Sequence, residues 1–274
     1  MKITPSLAVP SYVIPASTKE NILFLQDKTK EISLLCFEPS LPVLEDLSSF
    51  QGSWHLHLPY SVPHDFYHSP EKYMQTAPAY SAQTLWNNAW QHAGTLRDME
   101  IFAKSCIKIA LHCQKLNLKY YVLHLPDNQE KNAASFLEYF LQQWQKELPL
   151  ELLCLENVKN ASYFDYEKII LSSSCSLCFD LAHALTYKQE NCLEQKKFME
   201  KVKIVHWSAP FEENTQQYGK DKHLNLNHLK NHASYCIKTL KSVPQNTTHV
   251  LELFSWEEIE KSKQFLFQLF DRCF

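Results

Sequence analysis

Short apolar runs alternate with helical segments along the whole chain, and this alternation most restricts the possible folds. The apolar runs predict eight strands, at residues 11–14, 33–37, 54–58, 120–125, 150–155, 176–180, 202–205 and 248–253. The intervening segments predict helices, among them residues 42–50, 81–116, 131–147, 226–242 and 255–270. Strands that alternate with helices form parallel sheets with right-handed crossovers. Eight such units in 274 residues predict a single α/β domain, a (β/α)8 TIM barrel over residues 1–274.

A doubly wound open sheet is the alternative arrangement of the same elements. The strand ends argue against it, because six of the eight predicted strands end in residues of types that bind metals. An open sheet gathers its site at one switch point, whereas a barrel brings every carboxyl end to one mouth. The run from Leu177 is typical, since apolar residues lead to Asp180 and His183 follows three residues later. We therefore favour the barrel.

The composition excludes several classes of protein. The formal net charge is -3 with only two arginines, so the chain has no basic tract for binding nucleic acid. Three glycines cannot supply a dinucleotide fingerprint or a P-loop, which both need clustered glycines near phosphate. No apolar run is long enough to predict a membrane span. Nine scattered cysteines and the lack of a signal-peptide pattern predict a reducing, cytoplasmic location.

Nine polar side chains stand at or just after predicted strand ends, and a barrel would bring them to one mouth. They are His57, His124, Glu156, Asp180, His183, His206, Asp221, His223 and Glu252. Four carboxylates confined together would raise one another's pKa values unless cations balanced their charge. Imidazole and carboxylate ligands together suit zinc, manganese or iron. The set therefore predicts divalent metal ions, and three of them would leave a positive surplus suited to an anionic phosphodiester.

The same nine residues, in the same order, resemble the three-metal pattern of the endonuclease IV and xylose isomerase-like barrel superfamily. The spacings in Asp180-Leu-Ala-His183 and Asp221-Lys-His223 are the specific parts. The resemblance implies a xylose isomerase-like barrel with up to three metal ions, most simply zinc. The implied ligand groups are His57, His124 and Glu156; Glu156, Asp180, His206 and Glu252; and His183, Asp221 and His223.

A closer resemblance, which also covers the ends of the chain, is to the cobamide-remodelling phosphodiesterase family (CbiR). The segments that carry it are Ser11-Tyr-Val-Ile-Pro-Ala16, Phe37-Glu38, Asp221-Lys-His223-Leu-Asn-Leu226 and Leu251-Glu-Leu-Phe254. The resemblance implies hydrolysis of the nucleotide-loop phosphodiester of cobamides, the vitamin B12-type corrinoids, into α-ribazole and cobinamide phosphate. The partner would then be a small molecule rather than nucleic acid or a membrane, and the oligomeric state stays open.

Roles within the site follow from position. Glu156 or Glu252 is the candidate to orient or deprotonate the attacking water. Four residues next to predicted ligands are candidates for contact with the substrate, and for the two aromatic ones a packing role is an equal alternative. They are Tyr60, Lys159, Trp207 and Lys220. The loop over residues 59–80 is rich in proline and aromatic residues and is long enough to line a bulky ligand.

Three other functions compete with this interpretation. A sugar isomerase or epimerase on the same barrel needs fewer metals, so nine filled positions favour hydrolysis. An abasic-site endonuclease binds DNA by neutralising phosphates, which the low arginine content and negative charge disfavour. A corrinoid-binding protein without catalysis would not need ligands for three metals.

Overall fold

The barrel strands have their carboxyl ends at one mouth, and most of the predicted ligands lie at or just after these ends. The computed structural model describes residues 5–36, 38–63, 65–75, 86–88, 95–210 and 223–274. In these ranges the strands are β1 (Ser6–Pro10), β2 (Glu31–Leu35), β3 (Ser53–His57), β4 (Ser61–Pro63), β5 (Trp86–Asn88), β6 (Leu118–His124), β7 (Leu153–Glu156), β8 (Ser176–Asp180), β9 (Val202–Trp207) and β10 (Thr248–Leu251). Eight of them close a parallel barrel in the order β1-β2-β3-β6-β7-β8-β9-β10, which confirms the predicted fold.

Helices cover the outside of the barrel. The α-helices of the described ranges are α1 (Thr18–Leu25), α2 (Leu44–Leu47), α3 (Pro70–Tyr73), α4 (Leu96–His112), α5 (Ala133–Glu147), α6 (Glu167–Ser172), α7 (Leu181–Thr186), α8 (Lys196–Met199), α9 (Ala233–Ser242) and α10 (Trp256–Cys273). Short 3-10 helices are Cys113–Lys115, Leu150–Leu152, Glu190–Glu194 and Leu226–His232. None of the described helices has the length and apolar character that crossing a membrane requires.

The first strand lies upstream of the predicted one. The apolar run at residues 11–14 predicts a strand, but β1 ends at Pro10 and the run follows it. The Asn21 side chain explains the difference, because its Oδ1 accepts hydrogen bonds from the backbone N–H groups of Val13 (2.7 Å) and Ile14 (3.0 Å). Its Nδ2 donates to the Ile14 carbonyl (3.1 Å). A buried side chain therefore satisfies backbone groups that a neighbouring strand would otherwise pair.

The predicted helix at residues 81–116 is also shorter than expected. α4 begins after a capping box, in which Thr95 Oγ1 accepts from the Asp98 backbone N–H and the Asp98 carboxylate accepts from the Thr95 backbone N–H. This pair fixes the start of a helix by satisfying two of its free N–H groups. Upstream, β5 pairs antiparallel with β4 in a small separate sheet. Phe37, the last residue of the predicted second strand, lies outside the described residues.

The barrel interior has an apolar layer directly beneath the mouth. Successive residues of a strand point to opposite faces, so the residue two positions before a mouth residue shares its direction. In five strands this residue is small or apolar, and all five are buried together with Ala8. They are Val122, Cys154, Cys178, Ile204 and Val250. This layer separates the polar mouth from the opposite end of the barrel, where the interior is polar again.

At that opposite end the Glu31 carboxylate is the centre of a buried polar cluster. It accepts hydrogen bonds from His55 Nε2 (2.8 Å), Lys119 Nζ (2.5 Å) and the Ser6 hydroxyl. Burial alone would raise the pKa of Glu31, but these donors outweigh it and lower that pKa to about 2. Burial also lowers the pKa of His55. The cluster therefore holds an ionised glutamate, with Lys119 as its counterion and a neutral imidazole as a further donor.

Glu31→Gln is expected to lower the free energy of unfolding at pH 7 by about 3 kcal/mol, since a shift of one pKa unit corresponds to about 1.4 kcal/mol. A carboxyl with a lowered folded pKa stabilises the protein above its unfolded pKa and loses that contribution as the pH falls towards 2. Urea unfolding at pH 7 and pH 3.5 measures the effect, with Glu138→Gln on the exposed face of α5 as the control. A difference between Glu31→Gln and wild type that does not shrink at the lower pH would contradict this assignment.

The nine cysteines are all free thiols, and eight of them are buried. They are distributed between the barrel interior and the helix layer rather than gathered at one place. Burial raises the pKa of the Cys106 thiol well above its usual value and that of Cys113 to about 12. Cys273, in the last turn of α10, is the partly exposed one. The predicted Cys175 to Cys178 pair lies in and before a buried strand, as core residues do.

Candidate metal centre

Six adjacent barrel strands each bring one predicted ligand to the mouth. Parallel pairing places His124 opposite Glu156, and Asp180 opposite His206, in register. β3 ends at His57, and Glu252 follows directly after β10. All except His124 are nearly inaccessible to solvent, so carboxylates and imidazoles are packed together away from water. Only β1 and β2 among the barrel strands end without a predicted ligand.

The ligand atoms of these residues form two groups that share one member. His57, His124 and Glu156 lie with their ligand atoms within 4.8 Å of one another. The same is true of a second group, which is Glu156, Asp180, His206 and Glu252. The structure therefore brings together the members of the first two predicted ligand groups, with Glu156 in both.

The two carboxylate oxygens of Glu156 face different imidazoles. Oε2 lies 3.3 Å from His57 Nε2 and 3.6 Å from His124 Nε2. Oε1 lies 3.1 Å from His206 Nδ1. This arrangement is that of a bridging carboxylate, because each oxygen is directed at a separate ligand group.

Several buried polar atoms of the centre have no hydrogen-bond partner among the residues that the structure describes. They are Glu156 Oε2, Asp180 Oδ2, His206 Nε2 and Glu252 Oε2. An unpaired buried polar atom costs about 1–3 kcal/mol, and a charged one costs more. Three of these four atoms are carboxylate oxygens, so cations are the natural partners. The donor set therefore fits divalent ions that accept both imidazole and carboxylate ligands.

The pKa values show how strongly the carboxylates and imidazoles depend on one another. Burial raises the pKa of Asp180 to about 6, with the neighbouring Glu252 and Glu156 charges adding to the effect and His183 opposing it. For Glu156, burial is outweighed by His206 and His124, which hold the pKa of that carboxyl well below its usual range. Burial lowers the pKa of His124 to about 3, so this imidazole is neutral. Neutral imidazole is the form that binds metal ions.

Asn157 holds the tips of β7 and β8 together behind the ligands. Its Oδ1 accepts from the Asp180 backbone N–H (2.8 Å), and its Nδ2 donates to the Asp180 carbonyl (3.0 Å) and to Gln189 Oε1 (3.1 Å). The Tyr163 hydroxyl donates to the Cys178 carbonyl (2.5 Å) on the same strand. Sequence analysis missed Gln189 and Tyr163, which have no local signal.

The third predicted group is represented by two histidines at the rim. The backbone N–H of His183 donates to Asp180 Oδ1 (2.6 Å), which caps α7 and fixes the position of the histidine. His223 Nδ1 lies 3.0 Å from the Ser208 hydroxyl and 3.8 Å from Glu252 Oε2. Asp221, its third member, lies outside the described residues.

The four predicted substrate contacts differ in where they lie relative to the mouth. Tyr60 is half-buried and stacks on His124, with ring centroids 4.7 Å apart, so it lies at the mouth. Lys159 is exposed in the loop after β7, and Lys220 lies outside the described residues. Trp207 is fully buried in the helix-facing core, so of its two predicted roles the structure favours packing over contact with substrate.

Trp207 points away from the mouth because its neighbour His206 points into it. The indole N–H donates to His249 Nδ1 at 2.9 Å. Burial lowers the pKa of His249 to about 3, so this imidazole is neutral and can accept the bond. The pair is a buried polar contact between β9 and β10.

The fold is shared with several solved structures. The sequence matches no family model and no curated protein. Endonuclease IV from Thermus thermophilus is similar over 98% of this chain and 100% of its own, with a TM-score of 0.62 and 13% identity. A D-tagatose 3-epimerase-like protein matches over 98% of both chains, with a TM-score of 0.61 and 14% identity. The IolI protein, solved with a bound zinc atom, matches over 98% and 99%, with a TM-score of 0.58 and 12% identity.

These neighbours catalyse different reactions on one architecture, so at this level of identity they establish the architecture alone. A further neighbour is a xylose isomerase domain protein, similar over 98% of this chain with a TM-score of 0.61. Together with the closed parallel barrel, these similarities identify the fold as a xylose isomerase-like TIM barrel.

Proposed function

We propose that the protein is a metal-dependent phosphodiesterase that hydrolyses the nucleotide-loop phosphodiester of cobamides and releases α-ribazole and cobinamide phosphate. The observation that carries the hydrolase part is Glu156, whose two oxygens face two adjoining ligand groups. Paired metal sites of this kind suit displacement at phosphorus. The substrate class rests on the sequence resemblance of residues 11–16 and of the segments around Glu38 and Glu252 to the cobamide-remodelling family.

The residues that would hold the ions are those of the two described groups, with His183, Asp221 and His223 as a third. Zinc suits this mixture of imidazole and carboxylate best, and manganese or iron are alternatives. When bound, divalent ions polarise phosphoryl oxygens, lower the pKa of water and stabilise a leaving oxygen.

The protein's own groups position and shield the reaction. Glu252 follows β10 at the mouth, where its Oε2 lies 3.3 Å from His206 Nδ1, and it is one candidate to orient a water molecule or accept its proton. Glu156 is the other candidate for this role, and imidazoles likewise lie near both of its oxygens. The ring of Tyr60 covers His124 and limits access of bulk water. Lys159 is free to approach an anionic or amide-bearing ligand from the rim.

A sugar isomerase or epimerase is the second candidate function. The specific observation in its favour is that the second ligand group, with three carboxylates and His206, forms a compact site by itself. His57 and His124 would then be superfluous, and their contact with the shared Glu156 favours the phosphodiesterase. An abasic-site endonuclease has the same fold, but this chain has only two arginines to neutralise DNA phosphates.

Mass spectrometry of the products tests the proposal. The zinc-loaded protein is incubated separately with cobalamin, with a set of ketohexoses and with DNA that contains an abasic site. We expect cobinamide phosphate and α-ribazole in equal amounts, and no change in the sugars or the DNA. Cobyric acid would indicate amide hydrolysis instead, and epimerised sugar or nicked DNA with intact cobalamin would overturn the proposal.

A further inference from the structure

A cavity of about 440 Å³ lies at the carboxyl ends of β1 and β2, the two barrel strands that end without a predicted metal ligand. Among its lining residues are Tyr12, Leu35, Cys36, Glu38, Leu41 and Pro42. The size falls within the range of sites for small molecules. None of the nine predicted ligands and none of the four predicted substrate contacts lines it, so neither set accounts for it.

The cavity adjoins the candidate metal centre through strand pairing. Leu35, in its wall, is the register partner of His57. The backbone N–H of Cys36 donates to the His57 carbonyl at 3.0 Å. On the other side β1 pairs with β10, which leads into Glu252. Neighbouring strands lie about 4.8 Å apart, so this wall of the cavity is one strand away from the ligand His57.

The walls of the cavity are held in place by hydrogen bonds from other elements. The Leu41 backbone N–H donates to the Gln75 carbonyl at 3.2 Å. His112 Nε2 donates to the Pro42 carbonyl at 2.9 Å from the end of α4. Because these bonds hold Leu41 and Pro42 in place, a ligand would not have to order this part of the wall, and the cost of binding is reduced.

The lining combines apolar walls with two carboxylates and no cation. Its side chains include Leu34, Leu41 and Val43, and its charged groups are Glu38 and Asp46. Burial raises the pKa of Glu38, and no described side chain pairs with it. Such a cavity disfavours phosphate, because carboxylates repel it. It suits a neutral flat group that carries hydroxyl donors, since carboxylates accept hydrogen bonds from ribose hydroxyls.

We propose that this cavity binds the neutral nucleoside half of the substrate, with the base against the apolar wall and the ribose hydroxyls on Glu38 and Asp46. The proposal rests on the proposed function, since a nucleoside is one side of the scissile phosphodiester there. The phosphate would then lie over the neighbouring candidate metal centre. The bulky corrinoid half would stay outside the cavity, towards the open mouth.

Direct binding of α-ribazole and of the free base 5,6-dimethylbenzimidazole to the zinc-loaded protein tests this by calorimetry. Leu41→Trp fills the cavity and is expected to weaken binding of both ligands at least tenfold. Glu38→Gln keeps the shape and is expected to weaken α-ribazole severalfold without affecting the free base, because only the nucleoside has hydroxyls. Leu23→Trp, on the exposed face of α1, is the control and is expected to bind both ligands like wild type.

The outcomes separate this inference from the proposed function. Unchanged α-ribazole binding in both cavity variants would overturn the inference even if wild type cleaves cobalamin. Cobalamin cleavage without measurable α-ribazole binding would overturn it as well. Nucleoside binding that the two variants weaken as expected would support the cavity assignment, even in a protein that leaves cobalamin intact and so contradicts the proposed reaction. Circular dichroism of each variant excludes misfolding, and Glu38→Gln preserves a test if Leu41→Trp does not fold.

Discussion

Glu156→Gln is expected to reduce turnover at least about a hundredfold, a loss of roughly 2.7 kcal/mol of transition-state stabilisation, while the barrel stays folded. The carboxylate directs one oxygen to each of two ligand groups. An amide keeps the shape but has one acceptor oxygen, no charge and an NH2 group that cannot ligate a cation. Both groups therefore lose a charged ligand at once, since one keeps only a neutral amide oxygen and the other keeps no oxygen at all. Steady-state kinetics and metal content per chain measure the result.

Glu151→Gln is the matched control for this prediction. Glu151 is exposed in the 3-10 helix that precedes β7, at the opposite end of the same strand. The same chemical change there is expected to leave both turnover and metal content at the wild-type level. If Glu156→Gln retained more than a tenth of the rate, a bridging role would be contradicted.

Removing divalent ions by strong chelation is expected to abolish turnover and to lower the melting temperature. Three buried carboxylates would then face one another without cations to balance their charge, and their unpaired oxygens destabilise the native state. Adding zinc should restore both properties, since a ligand that binds the native state stabilises it by mass action. Elemental analysis, activity and thermal unfolding on the same samples measure the effect.

Manganese and iron, added separately to the metal-free protein, test which ion suits the site best. The control for indirect effects is the Glu31→Gln variant. Glu31 has Lys119 as its counterion, so its contribution to stability should not depend on divalent ions. Stability lost on chelation should therefore be the same in wild type and in Glu31→Gln. Full turnover by protein shown to be free of metal would contradict metal dependence.

The sequence predicted the barrel because its central strands have clear local signals. β8 was located at residues 176–180 because an unbroken apolar run ends there in an acid. β1 was predicted at residues 11–14, but the backbone of this run bonds to a side chain and not to a neighbouring strand. That side chain is Asn21, several residues downstream, which has no signal within the run. The short β4–β5 sheet was missed because each strand has only three residues, too few for a periodic pattern.

The sequence predicted which residues belong to the site better than it predicted where their side chains point. Ligands were recognisable because His124, Glu156 and Asp180 stand at strand ends, which parallel topology gathers at one mouth. For Trp207 the two predicted roles were packing and contact with substrate, and alternation along the strand, which puts it on the face opposite His206, favours packing. The cavity beside β1 and β2 was not predicted, since its walls combine residues of a strand, two helices and the loops between them that lie apart in the sequence.

Because eight of the cysteines are buried, the rates at which they react can report local unfolding of the protein. A buried thiol with a raised pKa reacts with alkylating reagents only when its surroundings come apart. In the folded protein one residue, Cys273, would be labelled quickly. The order in which the others follow would distinguish fraying of the outer helices, reported by Cys236 of α9, from rupture of the barrel itself, reported by Cys178 of β8. Natural thiols thus allow the kinetic stability of each layer to be read without engineered probes.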